Sequence, residues 1–301
     1  MVDVCLLGCG GMMPLPERRL TALLYRYGGK MILIDCGEGT QVGVKLAGWG
    51  FKAIAAILFT HYHADHIAGL PGLLLTLANS GKTEPLFLFG PRGLEDVVRG
   101  LTVIAPDLPF DLCMCELPES PGTQRIGDVI FQSMPAEHRM SCLAYSLVIE
   151  RAGIFKAQTA QALGIPTAFW NRLQKGETVR YDGKCFEPGM VLGEPRRGIK
   201  VTYCTDTRPT SQLVQLSRES DLFVCEGIYG EDEKRAGAIE KKHMIFSEAA
   251  ELARESRSRE LWLTHYSPAL KDPLDYIQTA KAIFPNAYTG FDGMTKSFHF
   301  D

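Results

Sequence analysis

The run His61-Tyr62-His63-Ala64-Asp65-His66 places three imidazoles and a carboxylate within six residues. Imidazole nitrogen and carboxylate oxygen are donors that zinc takes readily. A tight loop after a strand presents alternate side chains to opposite sides, so His61 and His63 are expected to face one cation while Asp65 and His66 face another. The run follows the apolar stretch Ala55–Thr60 and precedes Ile67-Ala-Gly-Leu-Pro-Gly-Leu73, as a strand-to-loop delivery requires. Solvated surface histidines are the ordinary alternative, and four donors this closely spaced argue against it.

A pair of cations needs more ligands. His138 follows the predicted strand Val129–Met134, Asp206 follows Lys200–Cys204, and His265 closes Leu261–Thr264. Each alone would more often be structural. Together they are three donors at strand ends, where side chains of different strands converge on one rim. His243, just before a predicted helix, and Glu226, at the end of the strand Leu222–Cys225, are not needed for coordination. Proton delivery to a leaving group is their functional reading; a helix-capping histidine and a surface glutamate are the structural one. His299 reads as an ordinary residue of a terminal strand.

The elements that must position these groups alternate between strand and helix without internal repeats. Strands are predicted at Val2–Leu7, Leu20–Tyr27, Met31–Ile34, Leu86–Phe89 and Ala144–Ile149, besides those already named. Helices are predicted at Gly39–Leu46, Leu94–Leu101, Ser211–Ser217, Phe246–Arg257 and about Pro273–Phe284. This order implies an α/β protein with two sheets flanked by helices. Between Phe155 and Arg197 the pattern breaks. A short helix at Ala157–Leu163 is followed by Gly164-Ile-Pro, Lys175-Gly-Glu, Asp182-Gly, Pro188-Gly and Glu194-Pro, the mark of a loop-rich insertion.

At 301 residues, with 46% hydrophobic and 22% charged residues, the chain can bury a large core as one domain or two modest ones. No apolar run reaches the roughly 18 residues of a membrane span. The start Met1-Val-Asp-Val-Cys has no basic region and reads as a first strand rather than a signal peptide. Nine cysteines, an odd number without repeating spacing, do not form a secreted disulfide framework. Reduced thiols and a cytoplasmic location are expected. Net charge is −3, so any nucleic-acid contact must come from local patches.

Several segments resemble the ribonuclease Z family: Leu7-Gly-Cys-Gly-Gly-Met-Met-Pro14, Ile34-Asp-Cys-Gly-Glu-Gly-Thr-Gln41, Thr60-His-Tyr-His-Ala-Asp-His-Ile-Ala-Gly-Leu-Pro-Gly72, Thr205-Asp-Thr-Arg208 and Leu263-Thr-His-Tyr-Ser267. They run in order over nearly the whole chain. The resemblance implies a metallo-β-lactamase αββα sandwich spanning residues 1–301, and an endonuclease trimming the 3′ end of precursor tRNA. It implies one zinc on His61, His63 and His138, a second on Asp65, His66 and His265, and Asp206 bridging them; manganese or iron fits the same donors. It gives Asp65 a second role with the attacking water, makes His243 the separate catalytic histidine and Glu226 its partner, and implies a homodimer. The insertion 155–197 resembles the family's arm, an exosite for tRNA. The stretch from Asn171 to Lys200 carries seven Lys/Arg against four acids, a basic excess suited to phosphate.

Four places depart from the family pattern. The arm lacks a Gly-Pro step, Arg19 stands where asparagine is common, Cys225-Glu-Gly-Ile228 keeps only the glutamate of its motif, and the tail Tyr288-Thr-Gly-Phe-Asp-Gly-Met294 differs. They bear on the substrate rather than on hydrolysis. The alternative is a small-molecule hydrolase or cyclic-nucleotide phosphodiesterase on the same site, and a metal-free RNA-binding relic is a third reading.

Overall fold

A computed structural model describes residues 1–300. Its contacts divide the chain into two compact units, one of Met1–Val148 with Lys200–His299, the other of Ile149–Ile199 with Phe300.

The larger unit is built on two sheets of seven strands. In chain order the strands of the whole chain are β1 (Val2–Gly8), β2 (Ala22–Tyr27), β3 (Lys30–Ile34), β4 (Ile54–Leu58), β5 (Leu86–Gly90), β6 (Leu112–Glu116), β7 (Gly122–Ile126), β8 (Val129–Pro135), β9 (Leu143–Arg151), β10 (Val179–Tyr181), β11 (Lys184–Phe186), β12 (Arg196–Cys204), β13 (Leu222–Glu226), β14 (Leu261–Thr264), β15 (Ala287–Thr289) and β16 (Met294–Phe298), of which β10 and β11 lie outside the two large sheets. The first sheet runs β16-β1-β2-β3-β4-β5-β6 and the second β15-β14-β13-β12-β9-β8-β7. Strand β1 is buried on both faces, as a mostly apolar run requires, its one carboxylate, Asp3, being paired with Arg26 at 2.9 Å.

On one face of the first sheet, Cys5, Leu7, Leu24, Leu33 and Ile57 join Val44, Leu70, Leu73, Leu74, Leu77, Leu94 and Val98 in a single buried cluster. The helices Thr40–Ala47, Leu70–Asn79 and Leu94–Thr102 therefore cover that face. The other face meets the second sheet, with Phe89 against Phe131 at a ring distance of 4.9 Å and the Tyr145 hydroxyl donating to Phe59 O at 2.6 Å. Helices Ser211–Ser217 and Phe246–Glu255 pack on the second sheet. The layers are helix, sheet, sheet, helix, as the alternation of elements predicts.

Parallel pairing sets up the site. Strands β12, β13 and β14 run parallel, with Cys204 beside Cys225 and Glu226 beside Thr264. Their carboxyl ends thus bring Asp206, Glu226 and His265 to one edge, where ligands bind in open parallel sheets. Strands β3 and β4, also parallel, bring Asp35 and Thr60 to the end of the first sheet.

Some elements differ from expectation. The single helix predicted over Pro273–Phe284 is a 3-10 turn, Pro273–Tyr276, followed by a short helix, Ile277–Lys281. Strands β6 and β7 close the two sheets where no strand was expected. The insertion, expected to be loop-rich, has a small core of Ala160, Ile165, Leu173, Val179, Phe186 and Val191. Within it β10 and β11 form a hairpin turned by Asp182 and Gly183, both at positive φ (49° and 68°), as a tight hairpin turn demands. All nine cysteines are free thiols, and no helix among the described residues is long and apolar enough to cross a membrane.

Two departures noted in the sequence meet each other. Asp292, in the tail, accepts from the backbone N–H of Arg19 at 2.7 Å and of Cys9 at 3.1 Å, and pairs with the Arg19 guanidinium at 3.6 Å. Arg19 also donates to Leu7 O at 2.8 Å. Asp292→Ala is expected to destabilise the protein by about 1–3 kcal/mol, because two backbone donors lose a charged acceptor. A lowered urea midpoint at unchanged slope reads this out; an unchanged midpoint refutes it.

Candidate metal centre

The loop after β4 sends its side chains two ways. His61 Nε2 lies 2.9 Å from His63 Nδ1, and His138 Nε2 lies 3.4 Å from the same atom. On the other side His66 Nε2 is 3.2 Å from His265 Nε2, and Asp65 Oδ2 is 3.5 Å and 3.4 Å from those two nitrogens. Asp206 stands between the groups. Its Oδ2 faces His61 (3.7 Å) and His138 (3.8 Å), while its Oδ1 faces His66 (3.2 Å) and His265 (3.1 Å). The donor atoms of His61, His63, His138 and Asp206 all lie within 4.8 Å of one another, as do those of Asp65, His66 and His265. The seven residues singled out in the sequence are thus assembled in one place.

Two features fit these clusters to cations rather than to ordinary hydrogen bonding. Imidazole nitrogens converge on one another, a pattern that is favourable when their lone pairs share a positive ion. The Oδ1 of Asp206 is buried without a hydrogen-bond partner despite its two close histidines, and a buried carboxylate oxygen normally has one.

Neighbouring groups orient the donors. His66 Nδ1 lies 2.8 Å from Asp35 Oδ2, so Nδ1 carries the proton and Nε2 points its lone pair into the site. Asp35 is fully buried and also accepts from Thr60 N at 2.8 Å, Thr60 Oγ1 at 2.9 Å and the Tyr203 hydroxyl at 3.3 Å. Sequence reasoning assigned Asp35 no role, although it belongs to the segment Ile34–Gln41; its position at a strand end is the signal that could have found it. His138 Nδ1 donates to Lys242 O at 3.3 Å, fixing that ring in the same manner. Asp65 Oδ2 accepts the Met12 N–H at 2.7 Å.

The backbone is bent to make this possible. Asp35, Asp206 and His265 all have positive φ (61°, 50° and 58°), a strained state that clusters at functional sites. Gly11 leaves room for the imidazole, since a Cβ there would lie 2.7 Å from His265 Cε1.

Electrostatics point the same way. Burial pulls the His66 imidazole down, but Asp206 and Asp35 outweigh it and hold its pKa well above the ordinary value. The negative field draws a second positive charge to Nε2, a place a cation would take from the proton. Burial pushes Asp206 up, yet His265, His66 and His61 keep it well below the carboxylate range. Burial lowers His61, and takes His138 down to about 4. Field and donors together suit a divalent cation.

Beside the clusters lies a second pair. His243 Nδ1 is 2.9 Å from Glu226 Oε2, and Glu226 Oε1 accepts the Thr207 N–H at 2.5 Å. Glu226 is fully buried, which rules out the surface glutamate considered from the sequence. Although burial lowers His243, Glu226 raises it to about 9. Its ring stacks on His265 at 5.5 Å and lines the same cavity, of about 350 Å³, together with His63, Asp65, His138 and Asp206.

Asp35→Asn keeps the shape and removes the charge behind His66. Metal affinity is expected to fall about 10–100-fold, the usual cost of losing such a partner. Chelator competition measures it, and an unchanged affinity would dismiss the orienting role of Asp35.

Comparison with known proteins bears on the whole chain. Residues 2–165 match the family described as Anti-Pycsar protein Apyc1, a span that stops before Asp206, Glu226, His243 and His265. Relatives described as ribonuclease Z match throughout. That of Clostridium acetobutylicum is 51% identical and that of Clostridium kluyveri 52%, each over 100% of this chain and 99% of its own. Human tRNase Z, short form, superposes with TM-score 0.71 at 23% identity over 98% of both chains. The metallo-β-lactamase fold protein YhfI from Bacillus subtilis gives 0.70 at 20% identity, over 99% of this chain and 100% of its own. The fold is the metallo-β-lactamase sandwich, and the His/Asp clusters are its candidate metal-binding site.

Proposed function

This chain belongs to the ribonuclease Z family and is a metal-dependent endoribonuclease of tRNA 3′ processing; from that premise we propose which residues carry the reaction. The site would hold two zinc ions, one on His61, His63 and His138, the other on Asp65, His66 and His265. Asp206, whose Oδ2 faces the first set of histidines and Oδ1 the second, would be shared between them. Manganese or iron fits the same nitrogen and oxygen donors, with availability deciding. Zinc held there supplies Lewis acidity and lowers the pKa of bound water towards about 7.

The remaining steps belong to side chains. Asp65, which lines the cavity, takes up the proton of the attacking water. Glu226 accepts from His243 Nδ1 and so leaves Nε2 to protonate the departing ribose oxygen. The observation carrying this reading is Asp206, whose two oxygens face different histidine clusters.

The arm 155–197 binds the tRNA. Arg180, Tyr181 and Lys184 are exposed on its hairpin, a set suited to phosphate and base contact. The substrate is a precursor tRNA carrying a 3′ trailer, and the working form is a cytoplasmic homodimer. Full-length similarity to ribonuclease Z does not favour the small-molecule alternative.

Zinc-loaded protein incubated with precursor tRNA, beside bis-p-nitrophenyl phosphate, tests the reading. Release of a discrete 3′ trailer is expected. Hydrolysis of the small ester alone would refute it.

A further inference from the structure

Arg208 ties the loop that carries Asp206 to the segment that carries His243. Its Nη1 donates to the His243 carbonyl. The same guanidinium makes a two-point pair with Glu248, 3.0 Å to Oε2 and 2.5 Å to Oε1. Glu248 is fixed in turn, because its Oε2 accepts the Ile245 N–H at 3.1 Å and closes the first turn of the helix Phe246–Glu255. The backbone N–H of Arg208 donates to Glu137 O at 3.1 Å, next to His138. Both partners of the pair are shielded, their side chains 14% and 7% exposed. A shielded, two-point guanidinium–carboxylate pair is geometrically specific in a way that a lysine pair is not.

His243 needs such a clamp. Glu226 holds its ring through Nδ1, but that bond does not fix the backbone from which the ring hangs. The preceding residue, Lys242, has φ 62° and ends the helix Arg235–Lys241, a conformation few residues other than glycine adopt. The His243 N–H goes to Ala238 O at 2.8 Å, and its carbonyl goes to Arg208.

We propose that Arg208 is the positioning residue of the acid, setting the His243 ring relative to the bridging Asp206 by holding its carbonyl. Arg208 acts through His243 and touches neither the leaving group nor a cation. The proposal rests on the reading of His243 as proton donor. A displacement of about 1 Å in a reacting group can cost about a hundredfold in rate, so the expected loss is large without any ligand being removed.

A double-mutant cycle with His243→Ala tests this on the full-length, zinc-loaded enzyme. Arg208→Gln is expected to lower kcat on precursor tRNA about 10–100-fold, with KM and zinc content near wild type. In the His243→Ala background the same change should cost less than about threefold, because residues acting as a unit are not additive. Bis-p-nitrophenyl phosphate, whose leaving group departs without a proton, should be slowed far less than the RNA. If Arg208→Gln leaves too little folded protein by circular dichroism, Arg208→Lys, which keeps the charge opposite Glu248 but not the fork, carries the same cycle. Equal losses in both backgrounds, or no loss in the wild-type background, overturn the proposal. A His243→Ala enzyme that cleaves precursor at the wild-type rate overturns the acid reading itself, and that result is visible in the single mutant alone.

Discussion

Asp206→Asn is expected to abolish processing of precursor tRNA and to take metal with it. Asparagine tolerates positive φ better than most residues, so the bend at φ 50° survives and the change isolates the carboxylate charge. On the proposed reading the two clusters share Asp206 as a common ligand and lose it together. Lewis-acid stabilisation is worth several kcal/mol, and each 1.36 kcal/mol is tenfold in rate, so turnover should fall at least about a thousandfold. Elemental analysis after purification should read fewer than two zinc per chain. Zinc added to chelator-treated wild-type protein should raise its melting temperature, since a ligand that binds only the folded state stabilises it; the variant should respond much less. Two retained zinc ions with activity within tenfold of wild type would remove Asp206 from the bridge.

His243→Ala has the second largest expected effect and a different signature. A positioned general acid contributes about 10²–10⁴-fold, and that factor should vanish from kcat on precursor tRNA. Zinc content should remain intact, because His61, His63 and His138 on one side and Asp65, His66 and His265 on the other keep their places around Asp206. The loss should depend on the leaving group. A ribose oxygen is a poor one and needs the proton, whereas p-nitrophenolate does not. Substantially equal losses on the two substrates, or departure of zinc from the variant, would show that His243 does something other than protonate. Glu226→Gln should follow the same pattern more weakly, since it weakens the hold on Nδ1 without removing the ring.

The two variants separate what the site's two halves do. On the proposed reading, one set of residues gathers positive charge where a phosphate must be held, and the other supplies a proton on the far side of the broken bond. Asp206 touches both, at 3.9 Å from His243 Nδ1. Displacement of the bridge therefore disturbs the acid too, while loss of the acid spares the bridge.

Much of this was legible in the linear chain. The His61–His66 run, with its apolar lead-in, announces a strand delivering donors into a loop, and His138, Asp206 and His265 each follow a recognisable strand. Local pattern suffices there, because side-chain alternation and burial are short-range properties. Besides the hairpin of the insertion, the strands it did not reveal are sheet edges. β7, Gly122–Ile126, is exposed at its centre, and β6, Leu112–Glu116, is only half-buried. An edge strand borrows its order from one neighbour, and little hydrophobic periodicity marks it. The helix at Pro273–Phe284 failed as a single element for a related reason: its first turn, Pro273–Tyr276, is 3-10 and largely solvated.

What the sequence determined by itself is the set of donors and the strands that carry them. What the tertiary structure decided is who stands behind whom. Asp35 reaches His66 across 31 positions, Arg208 reaches Glu248 across 40, and Asp292 reaches Arg19 across 273. No short-range pattern encodes these pairs, because each exists only after two sheets have packed and three parallel strand ends have come into register. A ligand type can be read from one residue, but its orientation, its proton and its charge state belong to the neighbours that folding supplies.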